Sequence, residues 1–552
     1  MTVTETESET ADAPGDGADV GVTAVDPAEA GPVVSPSEPT GLAAVVGSGD
    51  HKVIGRLYIG FSLVFVLVSG VAGQLVAVDK IDGELGNTVL AQDSWFQVFT
   101  LHSVSGVFLF LVPLLLGVAM CVVPLQVGAS TLAFPRAAAT SFWAWLMGGG
   151  LLIAAYAING GPDGGSAEGV DLWVAAFVVV LAALLLGAVS VVTTVLALRA
   201  PGMGLARIPM FAWSMVVAGS LWLLSLPVLI AVLVLMYVDH RYGRVAFGEE
   251  GRIMYERIIW ALRQPQIYAF AVPALGFVAD VIPTTVDVRQ RQRPVVMGAI
   301  AAFGVLGFGA FIQSTVNPDS LRQPVYDAMA VLAVGPGLAL LGLWATTLRS
   351  GRLRLASPLL FAIASVLMLL VATLVGALGP IDSFDLNGPL FAGAQVHYTV
   401  LAAAIAGFGA LWYWATKIIG RPLAEGLGRL AAVALLLGTV VLALPDVLST
   451  AFGSDQEQQV GIEGLNVVSA VGGTLTIVAI LLCVLGLLGG LRRSAGNADE
   501  DPWGRGQTLE WATSSPPASA DFDGLLEVTS AEPLVDRREA VVVSAGEGAE
   551  SR

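Results

Sequence analysis

Histidine is scarce in this chain, with four among 552 residues. Charge is scarce too: Asp, Glu, Lys and Arg make up 13% of the sequence, about half the ~25% of a typical soluble domain. The two cysteines, Cys121 and Cys483, are too few for a disulfide framework or a thiolate metal site. Both fall in apolar runs and read as packing residues. There is no basic patch of the nucleic-acid-binding kind and no phosphate-binding glycine loop. Residues 1–50 carry no Lys or Arg and no apolar core segment, so they do not read as a signal peptide.

Apolar residues dominate instead, at 55% of the chain with a mean hydropathy of +0.77. A bilayer crossing takes about 20 consecutive apolar residues. Twelve such runs occur, among them 98–124, 254–281, 295–315 and 388–419, the second, sixth, seventh and tenth. The fold class expected is an all-α membrane protein, a twelve-transmembrane-helix bundle. The net charge of −17 lies largely in the tails. Residues 1–50, with ten Asp and Glu, read as a disordered acidic tail. Residues 51–493 form the membrane domain, and 494–552 a polar C-terminal tail expected to be extended. With the N-terminus in the cytoplasm, most basic residues fall inside, including Arg289, Arg291, Arg293, Arg349, Arg352 and Arg354. Few, such as Lys80 and Arg241, fall outside. This bias fits an even number of spans with both termini cytoplasmic. No buried charge network is visible in the runs.

Two of the four histidines, His102 and His397, lie inside apolar runs, where an imidazole is costly without a partner or a role. In this topology the second and tenth runs cross in the same direction. His102 lies nine residues after Asp93 and His397 twelve residues after Asp385. At about 1.5 Å per residue, the two rings sit within roughly one helical turn of each other in depth. Two neutral imidazoles on facing helices can ligate one haem iron from both sides. That leaves no open position for a substrate and suits electron transfer. The alternative is two unrelated buried histidines, each bonded to a carbonyl or hydroxyl.

Motifs extend this picture. The run "LHSVSGVFLFLVPLLLG" from Leu101 and the following "VPLQVGASTLAFPRAAATSFW" resemble the second span and next loop of cytochrome c oxidase subunit I, of the haem-copper oxidase family. So do "LALRAPGMGLARIPMFAW" ending at Trp213, "LSLPVL" at 224–229, "QPQIYAFAVPALGF" at 264–277 and "QVHY" at 395–398. "DHKVIGRLYIG" at 50–60 resembles the family's start and "DPWGRGQTLEWATSSPP" at 501–517 its end. The resemblance implies that family's twelve-helix bundle, and a low-spin haem on His102 and His397.

The same resemblance shows what is missing. The family's high-spin haem is ligated by the first histidine of "HFHY", which here is Gln395. The copper ligand in "GHPEVY" is here Gln264, and a histidine pair expected in the seventh span is absent from "GFGAFIQSTVNPD" at 307–319. His51 and His240 lie at the ends of the bundle and do not substitute. A binuclear centre plus a two-histidine haem takes six histidines, and this chain has four. Proton-carrying positions are replaced too: the glutamate of "HPEVY" is Gln266, the aspartate of "GAPDMAFPR" is Thr131, and a lysine position is Leu340. Tyr268 remains, without a histidine at 264 to which it could be cross-linked. The family's magnesium-site pair is here Asn387 and Gly388. The arginines it places near the haem propionates and the formyl group are also missing, so haem a and haem b are equally compatible.

The function implied is a respiratory membrane protein of the bacterial plasma membrane. It would bind one low-spin haem, expect no copper, and relay electrons without its own oxygen-reduction centre or proton pumping. Implied partners are subunit II- and III-like chains, a cytochrome c or quinol-oxidising complex, and membrane lipid. Alternatives are a haem-free structural or assembly subunit, a working terminal oxidase with unusual ligands, and a secondary transporter.

Overall fold

The computed structural model describes residues 41–82, 89–243, 258–262, 266–308, 322–386, 388–453, 460–493, 498–518, 521–522 and 527–550. Gln264 and Asn387 lie outside these residues. A short helix at Leu42–Val46 belongs to a unit separate from the bundle that begins at Ser48.

Eleven helices among the described residues are long and apolar enough to cross a membrane. In chain order they are α1 His51–Asp82, α2 Ser94–Val127, α3 Pro135–Ala157, α4 Ala167–Ala197, α5 Met210–Tyr242 and α6 Tyr268–Val286. After the shorter apolar helix α7, Arg293–Leu306, come α8 Pro324–Arg349, α9 Ser357–Leu378, α10 Pro389–Tyr413, α11 Glu425–Phe452 and α12 Glu463–Arg492. The seventh of the twelve expected spans therefore appears as α7, and part of its run lies outside the described residues. The sixth helix starts at Tyr268 rather than near 254. The described stretch ahead of it is a 3₁₀ turn at Ile259–Leu262, not a continuation of the span.

Burial orders the bundle. The apolar windows of α2 and α6 are 94% and 100% buried, so these helices form the centre, whereas that of α8 is 22% buried and faces outward. Neighbours pack α1 on α2, α3 on α4, α5 on α6, α9 on α10 and α11 on α12, with α10 also against α6 and α11. Membrane helices approach closely where small residues meet. A Cβ added at Gly55 of α1 would lie 2.6 Å from the Gly117 carbonyl oxygen of α2, and one at Gly117 would lie 2.8 Å from that of Gly55. The helix ends follow local rules. The Asp50 side chain accepts from the Lys52 backbone N–H at 2.9 Å at the start of α1. Proline occupies the first turns of α3, α7, α9 and α10. Both cysteines are buried free thiols.

The C-terminal segment departs from the extended tail expected. Leu509, Glu510 and Trp511 are buried in a short 3₁₀ turn, and a further helix, α13, runs Pro533–Glu550. Arg289 ties α13 to the α6–α7 loop through Asp536 at 2.6 Å and Glu539 at 3.0 Å. The motif at 501–517 is thus a packing element, held by a buried polar cluster that the sequence did not reveal. Asp280 of α6 accepts the backbone N–H groups of Met210 and Phe211, each at 3.0 Å, and so caps the start of α5. The Gln126 amide donates to Asp280 at 2.9 Å and to Glu510 at 3.1 Å. Trp414 Nε1 also donates to Glu510, at 3.2 Å. Beside it, buried Lys417 donates to the Thr513 carbonyl at 2.6 Å and the Ser515 hydroxyl at 3.1 Å. The expectation of no buried charge network is therefore corrected: the charges lie at the bundle's ends, where local donors and acceptors can satisfy them.

Burial, followed by the nearby Asp280 carboxylate, pushes Glu510 up to about 7. The unfolded carboxyl loses its proton near pH ~4.3. Between these limits the folded chain holds a proton that the unfolded chain lacks, so stability falls as pH rises through that window. Glu510→Gln keeps an acceptor for Gln126 and Trp414 without a titratable proton. Thermal melts in detergent between pH 5 and pH 8 are expected to show a falling midpoint for the parent and a flatter profile for the variant. Parallel profiles would contradict this assignment.

Candidate haem-ligating site

The structure brings His102 and His397 together. His102 lies about two turns from the start of α2, and His397 lies on α10, two turns from its start. Their ring centroids are 5.9 Å apart, with the planes inclined by 42°. The depth match inferred from the flanking charges thus corresponds to a real side-chain contact.

The His102 ring is held by α1. Its Nδ1 lies 2.8 Å from the Ser69 carbonyl oxygen. A carbonyl can only accept, so Nδ1 carries the proton and Nε2 keeps its lone pair. This is the usual means by which a hydrogen bond fixes the tautomer of a metal-binding imidazole. The Ser69 hydroxyl donates back to the His102 carbonyl at 3.0 Å. Gly73, one turn further along α1, gives the ring its space: a Cβ there would lie 2.6 Å from both Cε1 and Nδ1 of His102. Just past His102, residues Ser105–Leu111 of α2 form a π-helical turn. There Ser105 Oγ donates to the Leu101 carbonyl at 2.5 Å. A hydroxyl that bonds the carbonyl four residues back competes with the helical ladder, and π turns of this kind recur at functional sites.

His397 differs, since its Nδ1 is buried and has no hydrogen-bond partner among the described residues. One turn earlier on the same helix face, a Cβ added at Gly393 would meet nothing within 4 Å. The pair thus offers one imidazole with a fixed tautomer, a second with an orphaned ring nitrogen, and open space beside them. Two imidazoles trans on one metal, at ~2.0–2.1 Å per bond, would have centroids ~6.5 Å apart. The observed 5.9 Å is close, so the donor set fits a haem iron with a small opening between the rings.

The other histidines stand apart, as the sequence implied. His51 is buried at the start of α1, with Nδ1 2.8 Å from the Met120 carbonyl. His240 pairs with Asp171 at 3.0 Å near the end of α5. Among the described residues no group of three or more His, Cys, Asp or Glu could hold a metal ion. Gln395 is buried, with its amide 3.4 Å from Thr399 Oγ1 and bonded to Tyr268. The Tyr268 hydroxyl donates to the Ala372 carbonyl at 3.3 Å. These polar groups cross-brace α6, α9 and α10 where the family pattern places metal ligands. Gln266 and Leu340 are buried, whereas Thr131 is exposed. Ser69, Gly73, Ser105 and Gly393 were missed by sequence reasoning. No motif marks them, and a small residue signals its role only when its neighbours are known.

Fold and site together define a membrane-embedded helical bundle with two facing imidazoles. The family model for cytochrome c and quinol oxidase polypeptide I matches residues 53–513. The chain belongs to that family, the subunit I branch of the haem-copper oxidases, whose cofactors include haem. A protein named as cytochrome c oxidase subunit 1-beta in Streptomyces avermitilis is 28% identical over 517 residues, covering 88% of this chain and 90% of the relative. Cytochrome c oxidase subunit 1 of Bacillus subtilis is 26% identical over 521 residues, with 89% and 82% covered. A solved haem-copper terminal oxidase dimer superposes with a TM-score of 0.63 at 13% identity, over 81% of this chain and 85% of that one. That likeness bears on the fold. The apolar helices and bacterial relatives make this an integral protein of the bacterial plasma membrane.

Gly73→Ala would place a methyl group against the His102 ring. Overpacking of this kind costs about 1–3 kcal/mol. Gly60→Ala in the same helix meets nothing within 4 Å and serves as the control. Thermal melts in detergent are expected to show a lower midpoint for Gly73→Ala than for Gly60→Ala; equal midpoints would remove Gly73 from the account of how His102 is seated.

Proposed function

We propose that this protein binds one low-spin haem, a or b, through His102 and His397 and relays electrons within a larger respiratory assembly. The observation that carries this reading is the facing pair at 5.9 Å, in a chain with amides at Gln264 and Gln395 and no histidine at 307–319. His102 would present Nε2 with its tautomer fixed by Ser69, and His397 would ligate from α10. Bound between two imidazoles, the haem would supply one-electron transfer without an open coordination position. Gln264 and Gln395 are neutral amides where the family pattern has histidines, and copper at such a site strongly prefers imidazole. Gln266, Thr131 and Leu340 do not exchange protons as a carboxylate or lysine does. The chain therefore neither reduces oxygen nor pumps protons by its own residues.

Both termini lie in the cytoplasm in this account, as the distribution of Lys and Arg supports. Its partners in this account are neighbouring subunits of the II and III type and a cytochrome c or a quinol-oxidising complex. A second reading, a haem-free structural or assembly subunit, draws on one observation. No arginine occurs between Arg429 and Arg492, where the family pattern places cations for the haem carboxylates.

A reduced-minus-oxidised spectrum of the purified full chain distinguishes the two. The expected result is about one haem per chain, a sharp six-coordinate band unchanged by carbon monoxide, and no stoichiometric copper. His102→Ala and His397→Ala should each abolish that band. A chain without haem would favour the structural reading, and a carbon monoxide-reactive haem or bound copper would favour a working oxidase.

A further inference from the structure

We propose that Lys80, held by Asp446, is the cation that faces the carboxylate edge of the haem and raises the iron's reduction potential. The proposal rests on the two-histidine haem reading above. Gly73 touches the His102 ring, and Lys80 follows seven residues later on the same helix. A seven-residue step returns to the same face, about 10 Å along the axis. Lys80 therefore sits on the imidazole-bearing side of α1, toward the bundle end where α2 and α10 begin. On α10, the open space beside Gly393 lies one turn from His397 toward that same end. Lys80 is also within electrostatic range of the His397 ring.

The pair itself is unusual. Lys80 Nζ meets Asp446 Oδ1 at 2.8 Å, with the two side chains only 12% and 8% exposed. A buried ion pair often stabilises no more than apolar residues of the same size, so stability alone gives little reason for it. The ammonium has three donors, and Asp446 takes one. Asn466 fixes the backbone beneath it by donating to the Lys80 carbonyl at 2.7 Å and to the Val460 carbonyl at 3.0 Å. Together these groups form a cation already desolvated and pinned, with donors left over among the described residues. Haem brings two carboxylates that need such a partner. Asp446 keeps the site neutral until they arrive, since a lone ammonium at this burial would be costly. Lys80 thereby supplies from α1 the charge that no arginine supplies between Arg429 and Arg492.

Oxidised iron carries one more positive charge than reduced iron. A nearby cation therefore favours the reduced state, and a nearby anion the oxidised state. Redox titration of the purified full chain should show Lys80→Gln lowering the haem midpoint and Asp446→Asn raising it. A tenfold change in the reduced-to-oxidised ratio is a shift of about 59 mV for one electron. Lys80→Arg should stay near the parent, and the Lys80→Gln/Asp446→Asn double variant should fall between the two single variants. Haem transfer to apomyoglobin should be faster for Lys80→Gln than for Asp446→Asn. General damage to the site would move both single variants in one direction, so a shared direction or no shift overturns the proposal while leaving the haem reading intact. If Lys80→Gln fails to accumulate, the Asp446→Asn and Lys80→Arg midpoints decide the question. A parent chain that binds no haem overturns both proposals.

Discussion

Everything in this bundle answers to the cost of placing a polar group where no water can reach it. The bond from His102 Nδ1 to the Ser69 carbonyl, at 2.8 Å, meets that requirement for one nitrogen and leaves the other available. It also ties α1 to α2 at the depth of the site. Gly73 shapes the adjoining wall, and the π turn beyond His102 changes the register of α2 before it enters the fully buried centre. The geometry of the imidazole pair is thus set by a carbonyl, a missing methyl group and a hydroxyl.

The same requirement explains how the chain tolerates the loss of its family's ligand positions. A buried histidine replaced by an apolar residue would leave neighbouring acceptors and donors unmatched. Here Gln395 stands in one such place, bonded to Thr399 and Tyr268, and Tyr268 in turn donates to Ala372. An amide keeps polar bracing between α6 and α10 while providing no good axial ligand. The amide at this position therefore keeps the cross-links that hold these helices in register.

Much of this was legible in the chain itself. Apolar runs of membrane length announced the helices, because in a bilayer the backbone has few other ways to satisfy its hydrogen bonds. The flanking charges at Asp93 and Asp385 fixed the depth of the two histidines well enough to predict that they meet. What stayed hidden depends on partners distant in sequence. Asp280 sits inside an apolar run and looks like a lone buried carboxylate until Gln126, 154 residues away, and Glu510 come beside it. The docking of 501–517 follows from that cluster, so a polar tail could only read as extended. Gly73 and Gly393 resemble the many other glycines of the chain, and only three-dimensional proximity to the rings separates them.

Charge placement completes the logic of the fold. Among its buried charges, the bundle places two clusters away from the apolar midsection, one toward each end. At one end, Asp280 and Glu510 share the Gln126 amide and fasten the C-terminal motif. At the other, Lys80 and Asp446 neutralise each other near the imidazole pair. The first cluster meets its donors within the chain and so acts as a clamp. In the second, one carboxylate among the described residues answers only part of what an ammonium can donate, on the same side of α1 as two imidazoles of which one has a nitrogen with no described partner. A ligand with both a metal and carboxylates, such as the proposed haem, would satisfy the surplus donors and the surplus nitrogen together.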